Sequence, residues 1–271
     1  MPNSDLNALV AKRIDVHAGL MIMRVEPDGW ELPEFEPGQF AVLGVPAKFA
    51  RCPESEPEAT PPDPESFIRR AYSIGSSNRD RGGLEFYISL VESGGLTPRL
   101  FALQEGDRLN LSPKITGKFT LEDVPEDQDL LLLSTGTGIT PYVSMLRSTD
   151  LTHSGRRVAV VHGVRNSWDL GYRAELEEMA RANERITYLP LISRPKGEST
   201  PWTGLVGYAQ DIWSKGVLEQ HWKRMPSATD CHVFLCGNPA MIDDAVTVLE
   251  RDGFQQHSKR NPGTIHLEKY W

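Results

Sequence analysis

With 271 residues, of which 24% are charged and 39% hydrophobic, the chain is long enough for two separately cored domains and has the balance of a soluble globular protein. Its formal net charge of −8 argues against nonspecific nucleic-acid binding, and no nucleic-acid motif is present. Cys52, Cys231 and Cys236 lack C-x-x-C spacing, so no disulfide framework, metal site or iron–sulfur centre is indicated, and a reducing, cytoplasmic setting fits.

The amino terminus has no basic region followed by an apolar run, and no stretch is apolar enough to predict a membrane span. From Asp15 to about Asp123 the chain reads as short strands: Leu20–Val25, Gln39–Val45, Ala71–Ile74, Leu84–Leu90 and Arg108–Ser112. Turn residues such as Pro27-Asp28-Gly29, Pro37-Gly38, Gly82-Gly83 and Gly94-Gly95 separate them, a pattern that suggests a small antiparallel β-barrel. Thr97–Leu103 is expected to form one short helix, with Thr97 as its cap and Pro98 in its first turn. Residues 53–66 hold five prolines and five carboxylates and are read as a mobile acidic loop, either a solvated insertion or a partner-facing segment.

After the polar link Glu122–Asp129, strand-like and helical runs alternate. Leu130–Ser134 precedes a helix from Pro141; Arg157–Val161 precedes Asp169–Ala182; Ile186–Ile192 precedes a weaker helix near Val206–Trp213; Val233–Cys236 precedes Pro239–Arg251; and Ile265–Glu268 closes the series. Such alternation predicts a doubly wound α/β domain on a parallel sheet, so the expected boundaries are 1–123 for the barrel and 124–271 for the α/β domain.

The stretch Leu130–Tyr142 carries the strongest chemical signal. A buried leucine strand runs into Gly136-Thr137-Gly138 and then into Thr140, a potential helix cap, with Pro141 behind it. Backbone N–H groups and a positive helix end converge there, which suits a pyrophosphate. Pro141 stands where the third glycine of G-x-G-x-x-G belongs, so the run alone is equally an ordinary strand-to-helix turn. The end of the next strand, Val158–Arg165, offers Arg165 where an NAD site would offer an acid to the ribose. Arg194, beside Ser193 past the third strand, adds a second cation, and together the two favour the 2′-phosphate of NADP.

Four ordered motifs, Arg70-Ala71-Tyr72-Ser73, Gly95-Leu96-Thr97-Pro98-Arg99-Leu100, Gly136–Pro141 and Cys236-Gly237-Asn238-Pro239, make residues 15–271 resemble the ferredoxin (flavodoxin)–NADP reductase family, bacterial type. The resemblance implies an FAD-binding barrel followed by an NADP-binding α/β domain. It assigns Arg70 to a flavin phosphate, Tyr72 to one face of the isoalloxazine and Ser73 to the neighbourhood of flavin N5, with Ala71 between them. Tyr87 and Ile88 would line the flavin, and Gly95, Leu96 and Thr97 would give backbone N–H groups to the second phosphate. Gly136, Thr137, Gly138, Arg165, Ser193, Arg194, Gly237 and Asn238 would hold NADP(H), and Cys236 would lie beside the nicotinamide. Ser73, Cys236 and Tyr72 are thereby the expected catalytic residues, and Tyr270 and Trp271 would fold back over the flavin. Two features depart from the family: Leu205 follows Thr203-Gly204 where relatives often carry an arginine, and the loop 53–66 is longer than the family requires.

The implied activity is FAD-mediated exchange of electrons between NADPH and ferredoxin or flavodoxin, acidic one-electron carriers, by a chain expected to be monomeric. Arg69, Arg70, Arg79, Arg81 and Arg99 are candidates for a positive landing surface. The alternatives are an NAD(P)H-dependent reductase component of an oxygenase and, from another class, a non-catalytic NADP-sensing module.

Overall fold

The structure, a computed structural model, describes residues 6–149 and 155–269. It divides into two compact units, one holding the residues up to Thr120 together with Val143–Ser148, the other Leu121–Tyr142 and the residues from Thr149 on.

In the first unit, strands β1 (Ala8–His17), β2 (Leu20–Pro27), β3 (Phe40–Pro46), β4 (Phe67–Ser73), β5 (Leu84–Ser89) and β6 (Arg108–Leu111) form one sheet in the order β4-β3-β6-β1-β2-β5. Every pairing is antiparallel. Alternate residues turn inward, as period-two strands require: Met21, Met23 and Val25 of β2, Ala41, Leu43 and Val45 of β3, and Leu84, Phe86 and Ile88 of β5 build the core. Gly75 N–H donates to Glu85 O at 2.7 Å, linking the ends of the two edge strands, so the sheet rolls up as the expected barrel. The helix α1 (Thr97–Ala102) packs Leu100 and Phe101 into the same core.

Three expectations for this unit need correction. The sequence reading began its strands at Leu20, whereas β1 already runs from Ala8. Thr97 does not cap α1; Leu96 holds the cap position, and the Thr97 hydroxyl instead accepts Val91 N–H at 2.9 Å. The loop 53–66 is pinned and not free: Glu56 N–H donates to Glu92 O (3.0 Å), Lys48 N–H to Pro64 O (3.1 Å), and Glu58 is ion-paired to both Arg51 and Arg99.

In the second unit, β7 (Asp129–Thr135), β8 (Val158–Val164), β9 (Ile186–Ile192), β10 (Leu205–Val206), β11 (Cys231–Gly237) and β12 (Ile265–Lys269) form an all-parallel sheet in the order β10-β9-β8-β7-β11-β12. The chain winds outward from β7 to β10, then returns to place β11 on the other side of β7, which is the doubly wound arrangement expected. Helices α2 (Thr140–Ser148, of which Val143–Ser148 falls in the first unit), α3 (Arg173–Ala182), α4 (Asp211–Ser214), α5 (Val217–Trp222) and α6 (Pro239–Arg251) follow strands of this sheet in the chain. Leu131, Leu133, Val161, Leu191 and Val233 pack against Ile212, Leu218, Trp222, Ile242 and Leu249 from α4, α5 and α6. The helix anticipated near Val206–Trp213 is instead strand β10 followed by two short helices, interrupted at Gly216, whose φ is +64°. No helix among the described residues is long and apolar enough to cross a membrane.

Candidate functional site

In the second unit the order of strands reverses between β7 and β11, and the carboxyl ends of these two strands carry the glycine motifs. After β7 the chain enters a 3₁₀ turn over Gly136–Ile139 that leads directly into α2, so the helical run starts five residues earlier than the expected Pro141. Thr140 is inside this run and donates its hydroxyl hydrogen to Thr137 O at 2.6 Å; it does not act as a cap. Gly136 takes φ +55°, the left-handed region open to glycine. A Cβ on Gly138 would stand 2.4 Å from Cys236 O, and one on Gly237, at φ +134°, would stand 2.3 Å from Thr135 Oγ1. The glycines are therefore required for the close approach of two strand ends.

Neighbouring polar groups hold the approach in place. Asn238 N–H donates to Thr135 Oγ1 at 2.9 Å, and Asn238 Oδ1 accepts Ala240 N–H at 2.9 Å, capping α6 with Pro239 in its first turn. His162 of β8 is fully buried, with its Nε2 3.0 Å from Gly136 O. Burial holds its pKa down to about 4, so the neutral ring donates through Nε2 and fixes the turn's first carbonyl. Nothing in the sequence pattern singled out His162, because a histidine inside an apolar strand reads as core. Cys236 is buried next to β12, its thiol 3.7 Å from a Glu268 carboxylate oxygen.

At the ends of β8 and β9 the structure brings Arg165 and Arg194 together. Arg194 N–H donates to Arg165 O at 2.9 Å, and the Ser193 hydroxyl donates to Val164 O at 3.3 Å. Both arginines are exposed, and neither guanidinium is ion-paired to a carboxylate among the described residues. Two forked cations without an acid partner fit a phosphate dianion. Exposed Lys196, which no sequence motif marks, lies two residues on in the turn Pro195–Gly197. The nearby carboxylate of Glu198 is engaged by the Ser167 N–H and hydroxyl, and these bonds hold its pKa below the ordinary range. Leu205, where relatives often carry arginine, is a β10 strand residue paired with Leu191 and packed on the core.

In the first unit, β4 carries Arg70 and Ala71 exposed, Tyr72 half-buried and Ser73 buried. Arg70 Nη1 donates to Arg69 O at 2.7 Å and has no carboxylate partner among the described residues. Tyr72 stands edge-on to Phe86, with ring centroids 6.4 Å apart, and burial pushes its phenol pKa upward, keeping it protonated. On β5, Ile88 faces the core and Tyr87, buried too, lies on the opposite face. Gly95 rests against Ile68, which lies two residues before Arg70 on β4. Arg99, proposed as part of a landing surface, is only 3% exposed and serves the interior instead. Arg81 is exposed but paired with Glu34 at 2.8 Å. Tyr270 and Trp271 lie outside the described residues.

Residues 132–247 match the model of the oxidoreductase NAD-binding domain. The chain is 32% identical over 239 residues to the flavodoxin/ferredoxin–NADP reductase of Escherichia coli, covering 88% of each chain. It is 31% identical to the ferredoxin–NADP reductase of Azotobacter vinelandii, covering 87% of this chain and 86% of that one. The chain belongs to the ferredoxin/flavodoxin–NADP reductase family. The fold of the ferredoxin NADP⁺ reductase from Neisseria gonorrhoeae, solved with FAD and NADP bound, superposes with a TM-score of 0.81 at 23% identity, over 97% of each chain. Membership of the reductase family accounts for the barrel followed by a parallel sheet.

Proposed function

We propose that this chain is an FAD-dependent NADP(H) oxidoreductase that exchanges electrons between NADPH and a ferredoxin or flavodoxin. Its relatives carry that name, and the donor sets on both units suit the two dinucleotides. The observation that carries the nucleotide preference is the pair Arg165 and Arg194, held side by side at the ends of β8 and β9. A ribose 2′-phosphate would satisfy both; a 2′-hydroxyl would leave two cations without a partner.

Bound flavin supplies the exchange between two-electron hydride and one-electron chemistry. The residues orient and bind. Gly136, Thr137, Gly138, Gly237 and Asn238 form a backbone cradle for the NADP pyrophosphate, its walls set by contacts that leave no space for a Cβ at Gly138 or Gly237. Ser193 sits with the two arginines as a hydroxyl partner. Arg70 and the backbone of Gly95, Leu96 and Thr97 bind the FAD phosphates, while Ala71, Tyr72, Ser73, Tyr87 and Ile88 border the isoalloxazine. Tyr72 enters as a neutral ring and Ser73 as a hydroxyl for flavin N5; Cys236 serves the nicotinamide. The carrier is an acidic protein, and Arg69 and Arg79 remain candidates for its landing surface, since Arg70 serves the FAD phosphates, Arg81 is paired with Glu34 and Arg99 is buried. The chain acts in the cytoplasm.

The experiment is to supply NADPH or NADH to the purified yellow protein and to follow reduction of ferredoxin and flavodoxin. Carrier reduction with a strong preference for NADPH is expected; a colourless protein that cannot be reconstituted with FAD would remove the proposal.

A further inference from the structure

The acidic loop reads from sequence as a solvated insertion or a partner-facing segment, and its Glu65 is solvated, meeting Lys48 at 3.2 Å with both side chains mostly in solvent. Glu58 is different. Its side chain is 17% exposed, and it lies between Arg51 at 15% and Arg99 at 4%. Glu58 Oε1 accepts from Arg51 Nη1 at 3.1 Å and from Arg99 Nη1 at 2.8 Å, and Oε2 accepts from Arg99 Nη2 at 2.9 Å. These bonds, Arg99 first, hold the Glu58 carboxyl below the usual carboxylate range, so it stays ionised.

Backbone carbonyls take further donors of both arginines, Arg51 Nη2 reaching Glu56 O and Glu92 O at 2.7 and 3.0 Å. Arg51 Nη1 donates to Gly94 O at 2.8 Å, and Arg99 Nη1 donates to Gly95 O at 2.6 Å. Arg99 Nε and Nη2 complete the set on Ala47 O at 3.0 and 2.8 Å, which satisfies all five guanidinium donors. In a trans peptide the C=O and the following N–H point in opposite directions, and the described backbone contains no cis bond. Drawing the Gly94 carbonyl to Arg51 therefore turns Gly95 N–H away from Arg51. Drawing the Gly95 carbonyl to Arg99 likewise turns Leu96 N–H away from Arg99. Two successive N–H groups are then presented together, the arrangement that makes an anion-binding concavity.

We infer that Glu58 is a positioning residue for the FAD phosphates, acting through Arg51 and Arg99 on the peptide planes of Gly94, Gly95 and Leu96. The inference rests on the proposed reading that this turn receives the FAD pyrophosphate. Glu58 itself touches no phosphate. It neutralises one of two neighbouring cations and locks both in the rotamers that aim the carbonyls. Without it, Arg99 loses two of its five bonds and Arg51 loses one; the bonds that remain, to Ala47 O and Gly95 O from Arg99 and to Gly94 O, Glu56 O and Glu92 O from Arg51, hold the two guanidiniums less tightly. The loop thereby acquires a function that its composition conceals: it delivers a carboxylate to the back of a phosphate-binding turn.

The test uses the full-length, FAD-loaded protein, its Glu58→Gln variant and the Arg51→Gln and double variants. FAD release on dilution is followed by the rise in free-flavin fluorescence, and riboflavin, which lacks phosphates, is titrated in parallel. E58Q should release FAD about tenfold faster, the lower end of the effect of removing an outer-shell partner, with riboflavin affinity unchanged. The double variant should lose little more than either single one, as expected for residues acting through one network. Should E58Q fail to fold, Arg51→Lys, which retains the charge but not the forked contacts, carries the same expectation. FAD release at the wild-type rate from a folded variant overturns the inference and leaves the FAD reading standing, as does an equal loss of FAD and riboflavin. Wild-type protein that takes up no FAD overturns the FAD reading and the inference with it.

Discussion

The two turns assigned to phosphates, Gly94–Leu96 in the barrel and Gly136–Gly138 in the parallel-sheet unit, solve one problem with opposite means. At Gly138 the backbone of β11 is so close that a Cβ would stand 2.4 Å from Cys236 O, and the first carbonyl is held by a neutral, buried imidazole. At Gly95 a Cβ would meet nothing nearer than Ile68 Cγ2 at 3.5 Å, and the carbonyls are held by guanidiniums balanced by a carboxylate. Gly138 is fixed by steric necessity between adjacent strands, whereas the Gly94 and Gly95 carbonyls are fixed by charged side chains from distant parts of the chain, although a Cβ on Gly94 would itself stand 2.9 Å from Val91 O. Gly138 tolerates no side chain; the Gly94 and Gly95 carbonyls depend on the ionic state of three side chains.

The sharpest way to break this comparison is to add the same methyl group to each turn. Gly138→Ala should cost about 3 kcal/mol of stability in chemical denaturation, because overpacking against backbone cannot relax, and should abolish NADPH binding. Gly95→Ala should cost under about 1 kcal/mol, since its Cβ finds only ordinary contact. Equal costs would show that the two turns are held alike.

A smaller effect is expected at the cations of the parallel-sheet unit. Arg165→Ala and Arg194→Ala should each weaken NADPH binding by about 1.5–3 kcal/mol, the range for hydrogen bonds to charged groups, and hardly alter NADH. Equal loss of both nucleotides would mean that these arginines do not read the 2′-phosphate.

The mildest contrast is in pH. His162 titrates near 4 in the fold against an ordinary 6.5, so between these values the unfolded chain binds the proton more readily. Stability of the parallel-sheet unit should fall as pH drops from about 6.5 towards about 4, by up to about 1.4 kcal/mol per pH unit for this one imidazole. His266, held down to about 3, and His232 act in the same direction, through burial first and neighbouring charge second. In the barrel, Glu58 and Asp80 are depressed carboxylates, whose contribution is present above the ordinary carboxylate pKa and lost only below it. Hydrogen exchange at about pH 7.5 and about pH 5.5, corrected for intrinsic rates, should therefore show loosening in β7 and β11 but not in β2 and β5. His162→Gln should flatten that slope.

What the sequence revealed follows the same division. Consecutive leucines in β7, the alternation of strands with amphipathic helices and glycines at the strand ends are local signals, so the doubly wound unit and the glycine turn at its strand reversal were legible. The β1 strand was not, because only Ala8 and Val10 of its ten residues are buried and the rest alternate without an apolar face. The helix expected near Val206–Trp213 failed because the two residues of β10 pair with β9, a tertiary choice that local propensity cannot express. The Arg51–Glu58–Arg99 cluster was invisible for a related reason. Its members lie 7 and 41 residues apart, and the segment that carries Glu58 has the composition of a disordered loop.

The most direct test of the account is rapid mixing of the FAD-loaded full-length protein with NADPH or NADH, following loss of flavin absorbance in wild type, Arg165→Ala and Arg194→Ala. The account predicts bleaching at far lower NADPH than NADH concentration in the wild type, a preference reduced by about tenfold or more in each variant, and electron delivery onward to ferredoxin or flavodoxin. Equal response to the two nucleotides in the wild type, or a preference untouched by both substitutions, would contradict it.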